Sequence, residues 1–120
     1  PATVLDRSDR GAIARVGDGI VVSVHRGMAV DVYTADLELT RLGHLEGLPN
    51  VGVSDAEFFG DLLLISGGGQ LRVVDLSVPA QPAQLGLMPF DGGPIAPEAT
   101  GLLTLGNERI SAWRFEGFVP

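Results

Sequence analysis

The sequence predicts an all-β protein built from a repeated unit of short strands. Two stretches are near copies, since Gly17-Asp18 and Gly60-Asp61 each lead into an apolar run and lie 43 residues apart. A weaker third copy starts at Gly101, with Leu62 and Leu102 separated by 40 residues. Short apolar runs bounded by Gly, Pro, Asn and Asp are typical of strands and turns. Self-similarity at this period indicates a repeat architecture.

The elements follow in order along the three copies. The first unit predicts strands at residues 12–16, 20–24, 28–33 and 39–45. The second predicts strands at 50–53, with an extension to Phe59 as an alternative, and at 62–66, 71–76 and 83–88. The third predicts strands near 94–96 and at 102–105 and 110–115. The segment 55–59 is the one contender for a helix, but it is too short and Gly60-Asp61 ends it.

These strands group into one domain over residues 1–120, with units at 12–45, 50–88 and 93–115. The third unit lacks a fourth strand, and residues 2–6 supply a strand just before the first unit, where a fourth strand belongs. Units of this length with four strands are typical of β-propeller blades. The sequence therefore predicts about three four-stranded blades. Because propellers use about four to eight blades, we expect a partial propeller or one that other copies complete.

The second unit carries a family resemblance. It reads Gly60-Asp61 before its second strand, and Leu71-Arg72-Val73-Val74-Asp75-Leu76-Ser77-Val78-Pro79-Ala80-Gln81-Pro82 from its third strand into its fourth. This resembles the LVIVD-type β-propeller repeat, closely over residues 60–88, moderately over 17–45 and poorly over 93–115. The first unit departs from it with Thr34-Ala35-Asp36-Leu37-Glu38, and the third with Trp113-Arg114-Phe115. The resemblance implies a bacterial protein that is secreted or displayed on the cell surface.

Composition narrows the classes of partner. The net charge is −7 in 120 residues, which argues against nucleic acid because phosphate binding needs clustered cations. The chain has no cysteine, so it has neither disulfides nor a thiol nucleophile, and its compartment cannot be inferred from redox chemistry. Purely apolar runs are only a few residues long, so no membrane insertion is expected.

We identify no catalytic, cofactor-binding or metal-binding residues from the sequence. His25 and His44 are the only imidazoles, and we expect the first in a solvated turn and the second on an outer strand. The repeated aspartates suggest either a ring of carboxylates or, as we favour, turn residues that accept backbone N–H bonds. Likewise, we interpret the glycine run at 67–69 as a hairpin turn rather than a phosphate cradle, and the aromatics as packing residues rather than sugar platforms. The aspartates are Asp18, Asp31, Asp61 and Asp75, and the aromatics are Phe58, Phe59, Phe90 and Trp113.

The loops at one end of the strands are the expected binding surface, since loops on a rigid scaffold carry function. The polar candidates there are His25, Arg26, Asn107 and Glu108. The leading hypothesis is a non-catalytic binding or structural scaffold module with an unidentified protein or glycan ligand, extended by further blades in the same chain or by other copies. The alternative is a self-assembling, lectin-like propeller that binds glycans at blade interfaces. An enzyme would need catalytic residues outside these 120.

Overall fold

The computed structural model describes residues 13–16, 19–36, 38–90, 95–97, 101–106 and 109–114, and describes side chains within 19–36 and 38–90. These residues form an all-β protein of three antiparallel sheets, each following chain order. The first and second sheets have four strands and the third has three. The described part of the chain contains no helix with the length and hydropathy that a membrane crossing requires.

The strand bounds are as follows. The first sheet consists of β1 (Ile13–Val16), β2 (Ile20–His25), β3 (Ala29–Thr34) and β4 (Arg41–Leu45). The second consists of β5 (Asp55–Phe59), β6 (Leu62–Gly67), β7 (Gln70–Asp75) and β8 (Ala83–Pro89). The third consists of β9 (Ile95–Pro97), β10 (Gly101–Gly106) and β11 (Arg109–Arg114).

Most strands lie within two residues of their predicted positions, but the prediction of a strand at residues 50–53 is wrong. The strand that opens the second sheet is β5, which lies in the alternative extension to Phe59 and coincides with the segment rejected above as a helix. Residues 50–53 are a connection instead, because Asn50 has a φ of 56° and the carbonyl of Val51 accepts the N–H of Gly27 at 2.7 Å. The predicted strand at residues 2–6 lies outside the described residues.

Two-residue turns close two of the three hairpins of the second sheet. Gly68 and Gly69 join β6 to β7 with φ angles of 55° and 77°, which confirms the predicted turn with positive φ. Gly60 opens the β5–β6 turn with a φ of 59°. Because glycine has no Cβ, it adopts these angles without steric cost, and the short turns hold the strands in one register.

Each sheet has two faces, and we name each face after one of its residues. In the first sheet, the Val22 face consists of Val22, Val24, Val30 and Val32, and the Asp31 face consists of Val21, Ser23, Asp31 and Tyr33. In the second sheet, the Leu63 face consists of Leu63, Ile65, Arg72 and Val74, and the Leu64 face consists of Leu62, Leu64, Leu71 and Val73.

The main core lies between the first two sheets. The apolar residues of the Val22 face and of the Leu63 face belong to one buried cluster, together with Met28 and Val51 from the connections. The Leu64 face forms a second cluster with Phe90, so β6 is buried along its whole length. Phe58 and Phe59 pack against these clusters, which confirms the predicted packing role of the described aromatics.

Strand pairing shows which residues are equivalent between sheets. Counted from the pair that closes each central hairpin, Val22 corresponds to Leu64, Val32 to Val73 and Asp31 to Arg72. A register shift follows the equivalent residues Val32 and Val73, and each is paired with a glycine of the last strand. The 43-residue spacing inferred from the sequence copies is therefore one residue too long in the second strand, where Val22 corresponds to Leu64, and two too long in the third, where Asp31 corresponds to Arg72. The spacing changes by one residue between these two strands because the β2–β3 connection is one residue longer than the β6–β7 turn.

This equivalence defines how the sheets stack. The Val22 face of the first sheet corresponds to the Leu64 face of the second, yet it packs against the opposite, Leu63 face. The two sheets are therefore stacked in the same sense rather than face to face about a two-fold axis. Their first strands are also neighbours, since β5 contacts both β1 and β9. The three described sheets do not close on themselves.

Candidate functional site

Both histidines meet one carboxylate on the Asp31 face. Asp31 lies in the middle of β3, paired with Ser23 on β2 and with His44 on β4. His25 Nε2 lies 2.9 Å from Asp31 Oδ2, and His44 Nδ1 lies 2.7 Å from Asp31 Oδ1. Arg41 Nε is 3.6 Å from the same carboxylate. We call His25, Asp31 and His44 the His-Asp-His cluster.

The sequence did not predict this cluster. We expected His25 in a solvated turn, but it ends β2 and its side chain is 21% exposed because it packs beside Asp31. Asp31 was interpreted as a turn residue, and its side chain instead binds across the strands of the sheet. The available signal was alternation: His25 and Asp31 fall on the same face of adjacent strands once the hairpin register is known. His44 lies on the outer strand, as predicted.

Two other aspartates do act in turns. Asp75 Oδ1 accepts the backbone N–H of Ser77 at 2.9 Å, as predicted. Asp36 Oδ1 accepts the hydroxyl of Thr34 at 2.8 Å and the backbone N–H of Glu38 at 3.0 Å. Hydrogen bonding to Thr34 lowers the pKa of Asp36, and hydrogen bonding to Ser77 lowers the pKa of Asp75. These carboxylates order the loops at the end of the sheets opposite His25.

Ser23 joins the cluster, but the geometry differs from a nucleophilic triad. Ser23 Oγ lies 3.0 Å from His25 Nε2, the same nitrogen that faces Asp31. In a Ser-His-Asp triad the serine and the carboxylate bind opposite ring nitrogens, so that one is a base while the other is held as a donor. With both partners at Nε2, the imidazole cannot take a proton from Ser23 while Asp31 orients it through Nδ1. The arrangement is a hydrogen-bonded surface cluster.

The β2–β3 connection contains Arg26, one of the four predicted binding residues. Residues Arg26–Met28 form a 3-10 turn in which Arg26 is exposed and Gly27 is buried. Gly27 accepts the backbone N–H of Leu48 at 2.6 Å, and a Cβ on Gly27 would lie 2.5 Å from the carbonyl oxygen of Leu48. Only glycine allows this close approach. The contact fixes the position of the turn that carries Arg26. Asn107 and Glu108 lie outside the described residues.

Arg72 occupies the position in the second sheet that Asp31 has in the first. It is 4% exposed and reaches into the first sheet, where Nη1 donates to the carbonyls of Met28 at 2.8 Å and Glu46 at 2.9 Å. Its Nε donates to Gln84 Oε1 at 2.8 Å. Burial lowers the pKa of Arg72, although guanidinium groups stay protonated in proteins. Arg72 therefore links the two sheets through main-chain acceptors.

An open cleft of about 300 Å³ lies at the end of the second sheet that carries the β6–β7 turn. It is lined by Gly68, Gly69, Gln70, Leu87, Met88 and Pro89. The Oε1 atom of Gln70 is buried and accepts no hydrogen bond. Leu87, which forms one wall, is 40% exposed. The cleft combines apolar side chains with turn backbone, a lining that suits a small amphipathic group.

The described residues hold no group of three or more side chains placed to bind a metal ion. No protein-family model matches the chain, and no curated protein sequence matches it. Inferences about function therefore depend on the geometry of the sheets and of the loops.

Proposed function

We propose that this chain is a segment of a β-propeller that serves as a non-catalytic binding or structural scaffold module. The observation that supports the proposal best is the stacking of the first two sheets in the same sense. Each four-stranded sheet of a propeller packs one face on the next sheet and the opposite face on the previous one. The shared core of the Val22 and Leu63 faces has this arrangement.

The contacts among first strands support the same proposal. In a propeller the first strands of successive blades surround the central axis. Here β5 contacts β1 on one side and β9 on the other. We propose in addition that the chain is related to the LVIVD-type repeat, and that it works outside the cell or at the cell surface of a bacterium.

Cooperative unfolding tests the scaffold proposal. Trp113 is the only tryptophan and lies in β11 of the third sheet, so its fluorescence reports on one end of the stack, whereas circular dichroism reports on all strands. Stacked sheets that depend on each other predict coincident urea transitions by both probes. Two separated transitions would contradict a continuous stack.

We propose that ligand binding takes place at the loop end, near His25 and Arg26. Arg26 is exposed on a turn that Gly27 anchors to the β4–β5 connection. Because this turn is already fixed, a ligand that binds Arg26 does not have to order the loop. Asn107 and Glu108 are predicted members of the same surface. The ligand is a protein or a glycan, and a negatively charged group is the best complement to Arg26.

Selection followed by substitution tests this surface. Ligands would be selected from a random peptide library and a glycan array against the intact chain. We expect Arg26→Ala to weaken the best ligand by about tenfold, a loss of about 1.4 kcal/mol. Glu38→Ala, an exposed change at the opposite end of the sheets, is the control and should leave the affinity unchanged. Equal affinities for both variants would contradict a loop-end site.

A glycan-binding, lectin-like propeller is the second candidate, and the cleft beside Gln70 favours it. A sugar presents an apolar face for Leu87 and Met88 and hydroxyl donors for polar atoms of the cleft. If glycans bind there, Leu87→Ser should abolish the signal on a glycan array. Leu85→Ser, which changes a neighbouring exposed leucine outside the cleft, should preserve it.

The chemistry of the described residues supports binding more than catalysis. The only Ser-His-Asp grouping there presents one imidazole nitrogen to both partners. A hydrolase of the triad type needs the two ring nitrogens to have separate roles. We therefore propose that the module does not catalyse a reaction.

A further inference from the structure

We infer that the Asp31 face is the docking surface for the third sheet of a second copy of this chain. The inference rests on the proposed propeller arrangement and goes further by naming the two surfaces and the occupant. It starts from the one interface whose side chains are described on both sides, in which the Leu63 face of the second sheet covers the Val22 face of the first.

The Asp31 face of the first sheet is equivalent to the Leu63 face of the second sheet, which docks in the existing interface. By strand register, the counterparts of Leu63, Ile65 and Arg72 are Val21, Ser23 and Asp31. The Leu63 face is buried, whereas Val21 and Tyr33 are only half-buried and the His44 side chain is 31% exposed. The Asp31 face thus has the register of a docking face and keeps solvent-accessible area.

The third sheet also has a set of positions equivalent to the Val22 face, which the Leu63 face covers in the existing interface. Counted from the closing pair of the β10–β11 hairpin, Val22, Val24, Val30 and Val32 correspond to Leu103, Leu105, Ile110 and Ala112. All four register positions are apolar. The corresponding face in each of the other two sheets lies in a buried core, so an apolar set at these positions predicts that a further sheet covers it.

In the proposed propeller arrangement, these two surfaces lie at opposite ends of the stack and match in the same sense. An interface between different surfaces is heterologous, and it closes into a ring when the rotation allows. Two copies with three sheets each make a six-sheet ring, which is within the range that propellers use. In a closed ring the two surfaces cover each other, so no additional sheet is needed to cover the Asp31 face or the apolar positions of the third sheet.

The charged centre of the face fits a polar contact between sheets. Arg72 crosses the existing interface to bind the carbonyls of Met28 and Glu46, next to the β2–β3 connection. At the equivalent position Asp31 already has two imidazole partners within its own sheet, His25 at 2.9 Å and His44 at 2.7 Å. The His-Asp-His cluster therefore presents imidazole edges, and not a bare carboxylate, to the arriving sheet.

Light scattering across a wide range of protein concentration tests the inference. We expect a species of twice the 12.5 kDa chain mass. Asp31→Arg should convert it to a monomer, and the milder His44→Ala should weaken association by about tenfold or more. Leu85→Ser alters an exposed leucine of β8 outside both surfaces and should leave the mass unchanged.

Cross-linking between two single-cysteine variants identifies the surfaces, since the natural chain has no cysteine. One variant carries Val21→Cys, a position on the Asp31 face outside the His-Asp-His cluster, and the other carries Ile110→Cys. A short bismaleimide is added to each alone and to the mixture. We expect the cross-linked product of double mass from the mixture and little from either alone.

Several outcomes overturn the inference. These are a wild-type chain that stays monomeric, a dimer that survives both changes at the Asp31 face, an aggregate without defined mass, and a mixture that does not cross-link. A monomer that still unfolds with coincident transitions would overturn this inference while leaving the scaffold proposal intact. Separated transitions would count against the scaffold proposal itself.

Discussion

The first and second sheets place opposite charges at the same register position. In the second sheet Arg72 lies between sheets, 4% exposed, and its guanidinium donates hydrogen bonds to three acceptors. In the first sheet Asp31 lies on a face that is still partly open, and it recruits His25 and His44 from the neighbouring strands. The same strand position can therefore accommodate a charge in two ways, either by hydrogen bonds across an interface or by partners within its own sheet.

The largest effect should come from apolar truncation at matched positions. Leu63→Ala removes a fully buried side chain from the interface, so we expect the free energy of unfolding to fall by about 3 kcal/mol. Val21→Ala, the equivalent change on the half-buried Asp31 face, should cost about 1 kcal/mol. Urea unfolding of both variants measures the difference. Equal losses would mean that the Asp31 face is as fully packed as the Leu63 face.

Removing the inter-sheet charge should have the next largest effect. Arg72→Met keeps most of the side-chain volume but leaves the carbonyls of Met28 and Glu46 without this donor. We expect a loss of about 2 kcal/mol, because buried acceptors without partners are costly. Arg72→Lys retains the charge but not the forked geometry and should recover part of the loss. A stability equal to that of the wild type for Arg72→Met would show that water satisfies these carbonyls.

Neutralising the carboxylate of the first sheet should cost less. Asp31→Asn weakens the bonds to His25 and His44, and because those groups are partly exposed we expect a loss of about 0.5 kcal/mol in a monomeric background. The proton NMR signals of both imidazoles should shift together, since they share one partner. A shift confined to one histidine would contradict the shared carboxylate.

The loop aspartates should give the smallest effect, and an equal one in the two sheets. The lowered pKa values of Asp36 and Asp75 mean that protonation is harder in the folded state than in the unfolded one. Their stabilisation is therefore complete above the ordinary carboxyl pKa of about 3.9 and is lost as the pH falls through the lower folded-state values. Asp36→Asn and Asp75→Asn should each flatten the decline of stability in acid. Thermal unfolding between neutral and acid pH measures this slope.

Much of the fold was predictable from the residues. Short apolar runs between glycine turns predicted nearly all the strands, and the consecutive glycines at 68 and 69 predicted the hairpin turn. The segment 50–53 has the sequence pattern of a strand, which caused the error. In the structure the Val51 carbonyl instead accepts the N–H of Gly27, a hydrogen bond between segments that are distant in sequence. The candidate site was predicted less well. Arg26 is exposed as expected, whereas the role of Asp31 was misread.

Local sequence patterns are sufficient to predict the all-β class, the repeat and the positions of the turns, because strand alternation and positive-φ glycines act over a few neighbouring residues. Three features emerge only from the folded chain: Asp31 is equivalent to Arg72, two histidines share one carboxylate, and the sheets stack in the same sense. Those features depend on register across strands and on packing between sheets. A connection that differs by one residue changes which side chains meet, and the spacing of the copies along the chain does not show that change.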